Sequence, residues 1–132
     1  MSLAFVLDAS VAIRWALHDG STADRVYADG VLDALAENSA HVPALWYTEL
    51  VHVLRCAEDD TKMGESAIAS YFARLNRLPI DTDPTAPRAL SASVASVSRE
   101  YKLSGYDAQY LELALRLQLP IEIGRASCRE RV

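Results

Sequence analysis

Soft metal ligands are scarce in this chain of 132 residues, which carries two cysteines and three histidines. Cys56 and Cys128 have neither the C-x-x-C spacing of a zinc or redox site nor the density of a secreted disulfide scaffold. Cys56 is expected as a buried helical thiol. His18, His41 and His52 share no ligand spacing such as H-x-x-x-H, which argues against a histidine-built zinc site. Positive charge is also in deficit. Thirteen Lys and Arg against 18 Asp and Glu leave a net charge of -5 and a pI near 5.1. A free-standing basic surface for nucleic acid is therefore not expected, and any RNA or DNA contact must be local or assisted by metal. Long apolar runs are missing, and no basic N-terminal region leads into an apolar stretch, so a cytoplasmic protein without membrane contact is expected. Internal repeats and low-complexity segments are absent too.

What the chain does have is 51% hydrophobic residues, enough for one buried core and one domain at this length. Leu3 to Leu7 is a continuous apolar run ending at Asp8, the pattern of a strand buried on both faces of a parallel sheet. Ser10 is the expected N-cap of a helix from Val11 to Leu17, which stops near the turn signal Asp19-Gly20. Apolar spacing of three and four predicts further helices over Thr22 to Glu37, Leu45 to Ala57, Glu65 to Arg77, Arg88 to Lys102 and Tyr106 to Gln118. Short extended pieces fall at His41 to Pro43, Leu78 to Ile80, and Ile121 with Ile123. Strands alternating with helices indicate an α/β fold with a central parallel sheet covered on both faces.

Acids recur inside or beside apolar segments: Asp8 in LAFVLDAS, Glu49 in ALWYTELVHVL, and Asp107 with Glu112 in SGYDAQYLELA. A carboxylate on an apolar surface is costly unless compensated, and several in that setting suggest a shared divalent cation bound through oxygen. Asp8 closes a strand, and so lies at the carboxyl end of the sheet where ligands bind in such folds; a plain N-cap aspartate is the structural alternative. Glu49 has Leu45, Trp46, His52 and Val53 as its helical neighbours, so it faces or borders a buried surface unless His52 or Arg55 pairs with it. Asp107 completes an S-x-x-D capping box with Ser104, a role compatible with metal ligation because the helix dipole favours a carboxylate there. Glu112 precedes Arg116 by one turn and is better explained as an ordinary surface ion pair. Asp81 and Asp83 are expected as solvated loop acids. Trp15, Trp46, Tyr47, Tyr71 and Phe72 could be imagined as a base-stacking platform, but their helical spacing favours core or subunit packing.

With these acids in order, the chain resembles the PIN-domain ribonucleases and, within them, the VapC-type toxins of toxin-antitoxin pairs. The likeness runs from about Phe5 to Pro120 and rests on VLDASV, PALWYTELVHVL and LSGYDAQYLELALRLQLP. It implies a PIN-like α/β/α sandwich over residues 1–123 and metal-dependent hydrolysis of RNA phosphodiester bonds by an endoribonuclease. Asp8 and Asp107 would be direct ligands of Mg²⁺ or Mn²⁺. Glu49 would complete the pocket or orient the attacking water, and Ser10 would hold Asp8 or a metal-bound water. The resemblance also implies homodimers, through the apolar helices between Leu45 and Leu75, and a small VapB-type antitoxin that inserts a side chain, often arginine, among the carboxylates.

The pattern departs from the family at its end. A fourth acid, an aspartate just after the last strand, has no counterpart: Leu119-Pro120-Ile121 is followed by Glu122-Ile123-Gly124-Arg125. The segment GRASCRERV over residues 124–132 is expected to be a non-native or disordered tail, with the terminal strand and helix truncated or replaced and activity impaired. A non-catalytic PIN-fold module that binds protein or RNA is the alternative. Phosphotransfer fits poorly, since Ser10 stands where a D-x-D phosphatase motif needs its second aspartate.

Overall fold

The computed structural model describes residues 3–17 and 20–122. Strand β1 (Ala4–Leu7) is followed by helices α1 (Ala9–Ala16) and α2 (Thr22–Ala34), strand β2 (Ser39–Val42), helices α3 (Leu45–Asp59) and α4 (Glu65–Leu75). Strand β3 (Ile80–Thr82), helices α5 (Pro87–Tyr101) and α6 (Gly105–Leu117), and strand β4 (Ile121–Glu122) complete the described chain. All strands are parallel, in the order β3-β2-β1-β4, and the helices flank the sheet as an α/β/α sandwich. The apolar run Phe5 to Leu7 is central because a strand with neighbours on both edges and helices over both faces must shed water from every side chain. Register pairs Val6 with His41 on one side and with Ile121 on the other.

Strand order steps outward from β1 through β2 to β3 and then returns across β1 to β4. The crevice beyond the carboxyl ends of β1 and β4 is thus the topological switch point, the usual ligand position in open α/β sheets. Asp8 and Glu122 lie at its two lips, joined by a hydrogen bond from the Asp8 amide to the Glu122 carbonyl at 3.0 Å.

Packing follows the three-and-four spacing. Trp46, Leu50, Leu54 and Ala57 form the buried face of α3, against which the core gathers from β1, α1 and α6. Cys56, two positions after Leu54, falls on the opposite side of the helix and is exposed, which corrects the expected buried thiol. Tyr71 and Trp15 tie elements through their polar ends: the Tyr71 hydroxyl donates to the Ala12 carbonyl at 2.5 Å, and the Trp15 indole donates to the Ala28 carbonyl at 2.8 Å. Trp46 and Tyr71 are buried, and Trp15, Tyr47 and Phe72 pack against the core, so none of the five forms a stacking platform.

Element boundaries differ from the sequence expectation where local hydrogen bonds decide. Helix α1 starts at Ala9 with Asp8 as N-cap, because the Asp8 carboxylate accepts from the Ser10 amide at 2.9 Å; Ser10 is not the cap. Helix α2 tightens after Ala34 into i to i−3 bonds, ending before Glu37. The third strand lies at Ile80–Thr82 and not at Leu78 to Ile80, since the Leu78 amide still bonds to Leu75 and Pro79 offers only a carbonyl, taken by Ala40 at 2.9 Å. Expectations concerning His18, Asp19, Ile123, Arg125, Cys128 and the tail of residues 124–132 lie outside the described residues. Among the described residues no helix is long and apolar enough to cross a membrane.

Candidate active site

Asp8 is completely buried, at 0% exposure, at the end of the central strand. Two donors from the next helical turn, the amide and hydroxyl of Ser10, converge on its Oδ2. The strand-to-helix turn therefore does two things with one side chain: it caps α1 and fixes the carboxylate at the switch point.

Glu49 enters from the second turn of α3. The Tyr110 hydroxyl, carried by α6, donates a short hydrogen bond to its Oε1. Arg55 pairs instead with Glu58 and Asp59, so it is not the partner of Glu49. Burial pushes the Tyr110 phenol well above its ordinary value, and the hydrogen bond to Glu49 and the negative charges of Glu49 and Asp8 push it further. The backbone N–H of Ala9 acts in the opposite direction. One phenol thus experiences both carboxylates and reaches the backbone beside Asp8. Tyr110 is the residue that joins β1, α3 and α6 at the site, and in the sequence nothing distinguishes it from an ordinary core tyrosine.

Asp107 stands in the first turn of α6, three residues before Tyr110 and hence on the same helix face. Ser104 caps this helix, its hydroxyl accepting from the Asp107 amide at 3.1 Å, as the capping-box pattern expects. The first turn of α6 and the Pro43-Ala44 corner after β2 share one groove, which puts Asp107 at the carboxyl side of the sheet.

Three other acids have structural work. Glu112 is 6% exposed, and its carboxylate receives the Arg116 guanidinium at 2.9 and 3.0 Å. The same guanidinium reaches Asp83 at 2.7 Å, so the expected pair is a three-residue cluster that runs from the buried Glu112 to the surface, and Asp83 is a paired rather than a free loop acid. Arg116 links the turn after β3 to the middle of α6. Glu122, at the end of β4, accepts a short hydrogen bond from the Tyr27 hydroxyl of α2.

Among the described residues, no group of three His, Cys, Asp or Glu side chains is arranged to hold a metal ion. The pieces fit a hard divalent cation in chemistry. Asp8, Glu49 and Asp107 offer carboxylate oxygens, the hard donors that such an ion prefers.

A search of the curated proteins found no match to this chain. The family model described as PIN domain matches residues 5–121, from the centre of β1 to the first residue of β4. The switch-point aspartate, the α3 glutamate and the α6 aspartate all lie within that span, and the chain belongs to the PIN-domain family, whose members are typically metal-dependent nucleases.

Proposed function

We propose that this chain is a Mg²⁺- or Mn²⁺-dependent endoribonuclease of the VapC toxin type, restrained by a small VapB-type antitoxin. The observation that carries the reading is the setting of Tyr110 on the Asp107 helix: its hydroxyl donates to Glu49, and the charge of the buried Asp8 at the switch point acts on the same phenol.

Asp8 and Asp107 are the residues assigned to hold the ion. The chemistry supplied by Mg²⁺ or Mn²⁺, when bound, is neutralisation of phosphate charge and acidification of water. Ser10 keeps the Asp8 carboxylate oriented. Glu49, oriented by the Tyr110 hydroxyl, is the residue assigned to complete the acidic pocket or orient the attacking water. A concave surface lined by Lys62, Arg74 and Arg77 gives this acidic protein one cationic region suited to phosphates. Self-association through α3 and α4, and insertion of an antitoxin arginine among the carboxylates, belong to the same proposal.

The test is cleavage of a structured RNA pool with Mn²⁺ or Mg²⁺ by this chain and by Asp8→Asn. Asparagine caps a helix as well as aspartate does, so this variant removes the charge and spares α1. The expected outcome is cleavage that excess EDTA abolishes and that Asp8→Asn lowers by at least about 100-fold, the scale of losing a principal electrostatic group. Full activity in EDTA would refute it. The non-catalytic binding module is the second reading, favoured by the want of a three-acid group among the described residues; metal-replete silence together with retained RNA or protein binding would establish that reading.

A further inference from the structure

Tyr106 is 67% exposed in the first turn of α6, next to Asp107 in sequence, whereas Tyr110 on the same helix is buried. It forms part of two adjoining clefts. One, of about 510 Å³, is lined by Leu45, Thr48, Glu49, His52 and Val53 of α3. The other, of about 460 Å³, runs from Pro43 and Ala44 past Ser91 and Gln109 between α5 and α6. A large aromatic ring held on a helix between two clefts, one of them walled by a catalytic-site acid, has an exposed face and no core to fill. Both clefts carry polar side chains, Thr48 and His52 in one and Ser91 and Gln109 in the other, which suit the edges of a base.

From this geometry we infer that Tyr106 is a nucleobase-stacking residue that seats single-stranded RNA beside the carboxylates. The inference deepens the ribonuclease reading and rests on it for the identity of the substrate. Charge supports the assignment. A chain of net charge -5 has little general attraction for phosphate, and base stacking supplies affinity that needs no positive charge. Tyr106 is a positioning residue: it sets which nucleotide lies over the acids and takes no part in bond breaking.

The experiment uses the full chain in two arms. In the first, the Asp8→Asn protein with Mg²⁺ is mixed with short single-stranded RNA bearing 5-iodouridine, photo-crosslinked and mapped by mass spectrometry, and its affinity is measured by fluorescence anisotropy. In the second, KM and kcat for RNA cleavage are measured with the active chain. A crosslink at Tyr106 is expected. With Tyr106→Ala, Kd and KM are expected to rise about tenfold, within the range for loss of one stacked base, with the loss falling on KM rather than kcat. Tyr106→Phe, which keeps the ring, should restore binding. The inference is overturned if Tyr106→Ala binds RNA within twofold of the parent. It is equally overturned if Phe is as damaging as Ala, or if Tyr106→Ala weakens only a protein inhibitor. Absence of cleavage with a Tyr106 crosslink and Tyr106-dependent binding intact would remove the catalytic reading and leave this one standing, so the two failures are distinguishable.

Discussion

A buried aspartate is unusual because its charged form loses hydration, and Asp8 is compensated locally by the Ser10 amide and hydroxyl. Its position was legible because an apolar run that stops abruptly at an acid marks the carboxyl end of a buried strand. Glu49 was legible as an acid among apolar helical neighbours. Tyr110 was not, because a tyrosine at core spacing is ordinarily there for its ring, and only the packing of α6 against α3 shows where the hydroxyl goes. Tyr110→Phe tests that role. It leaves the ring in the core and removes the donor to Glu49, so kcat for RNA cleavage is expected to fall about tenfold with little change in KM, the scale of a mispositioned proton-transfer group. Stability in urea should fall by about 1–2 kcal/mol, as for one lost hydrogen bond to a charged acceptor.

Among the elements, α6 does most to assemble the site, since it carries Tyr106, Asp107 and Tyr110 and is anchored further along by Arg116. The sequence showed the Glu112–Arg116 pair correctly as a one-turn contact, but its burial and the recruitment of Asp83 depend on how the turn after β3 meets α6. Burial works against the charged form of Asp83, yet hydrogen bonds from Arg116 and from the backbone and hydroxyl of Thr85 outweigh it and hold the carboxyl below its usual range. The stability contributed by Asp83 is therefore complete above the unfolded carboxylate value, near pH ~4, and is lost as pH falls through the lowered folded value. Arg116→Met is expected to cost about 1–2 kcal/mol, well below a fully buried pair because the arginine is 31% exposed and solvent screens it, while Glu112 is left buried without its partner. It should also flatten the acid side of the stability–pH curve. Urea midpoints measured from pH 7 down to pH 3 check both; an unchanged acid limb would show that the cluster is not the source of the dependence.

For the molecule as a whole, the net charge of -5 and the Lys62, Arg74 and Arg77 surface make opposing contributions to nucleic-acid binding. If that surface holds RNA phosphates, Lys62→Glu combined with Arg74→Glu should weaken RNA binding at least about tenfold near physiological salt. The same pair should reduce the steepness with which affinity falls as salt rises, because fewer counterions are displaced. Anisotropy titrations at several salt concentrations read both quantities, and an unaltered salt slope would rule the surface out as a phosphate track.

The sequence by itself determined the α/β class, the helices and strands to within a few residues, and the place of Asp8 at the carboxyl end of the first strand, because hydrophobic period and chain termini of elements are local properties. It also determined that Trp46 and Tyr71 go inward, since both sit on three-and-four apolar stripes. Tertiary structure alone decided that Tyr110 joins Asp8 and Glu49, that Asp83 belongs with Arg116, that Cys56 faces outward, and that Tyr106 stands exposed between two clefts. These are contacts between residues tens of positions apart, set by the angle at which helices cross the sheet, and no local pattern in the chain encodes that angle.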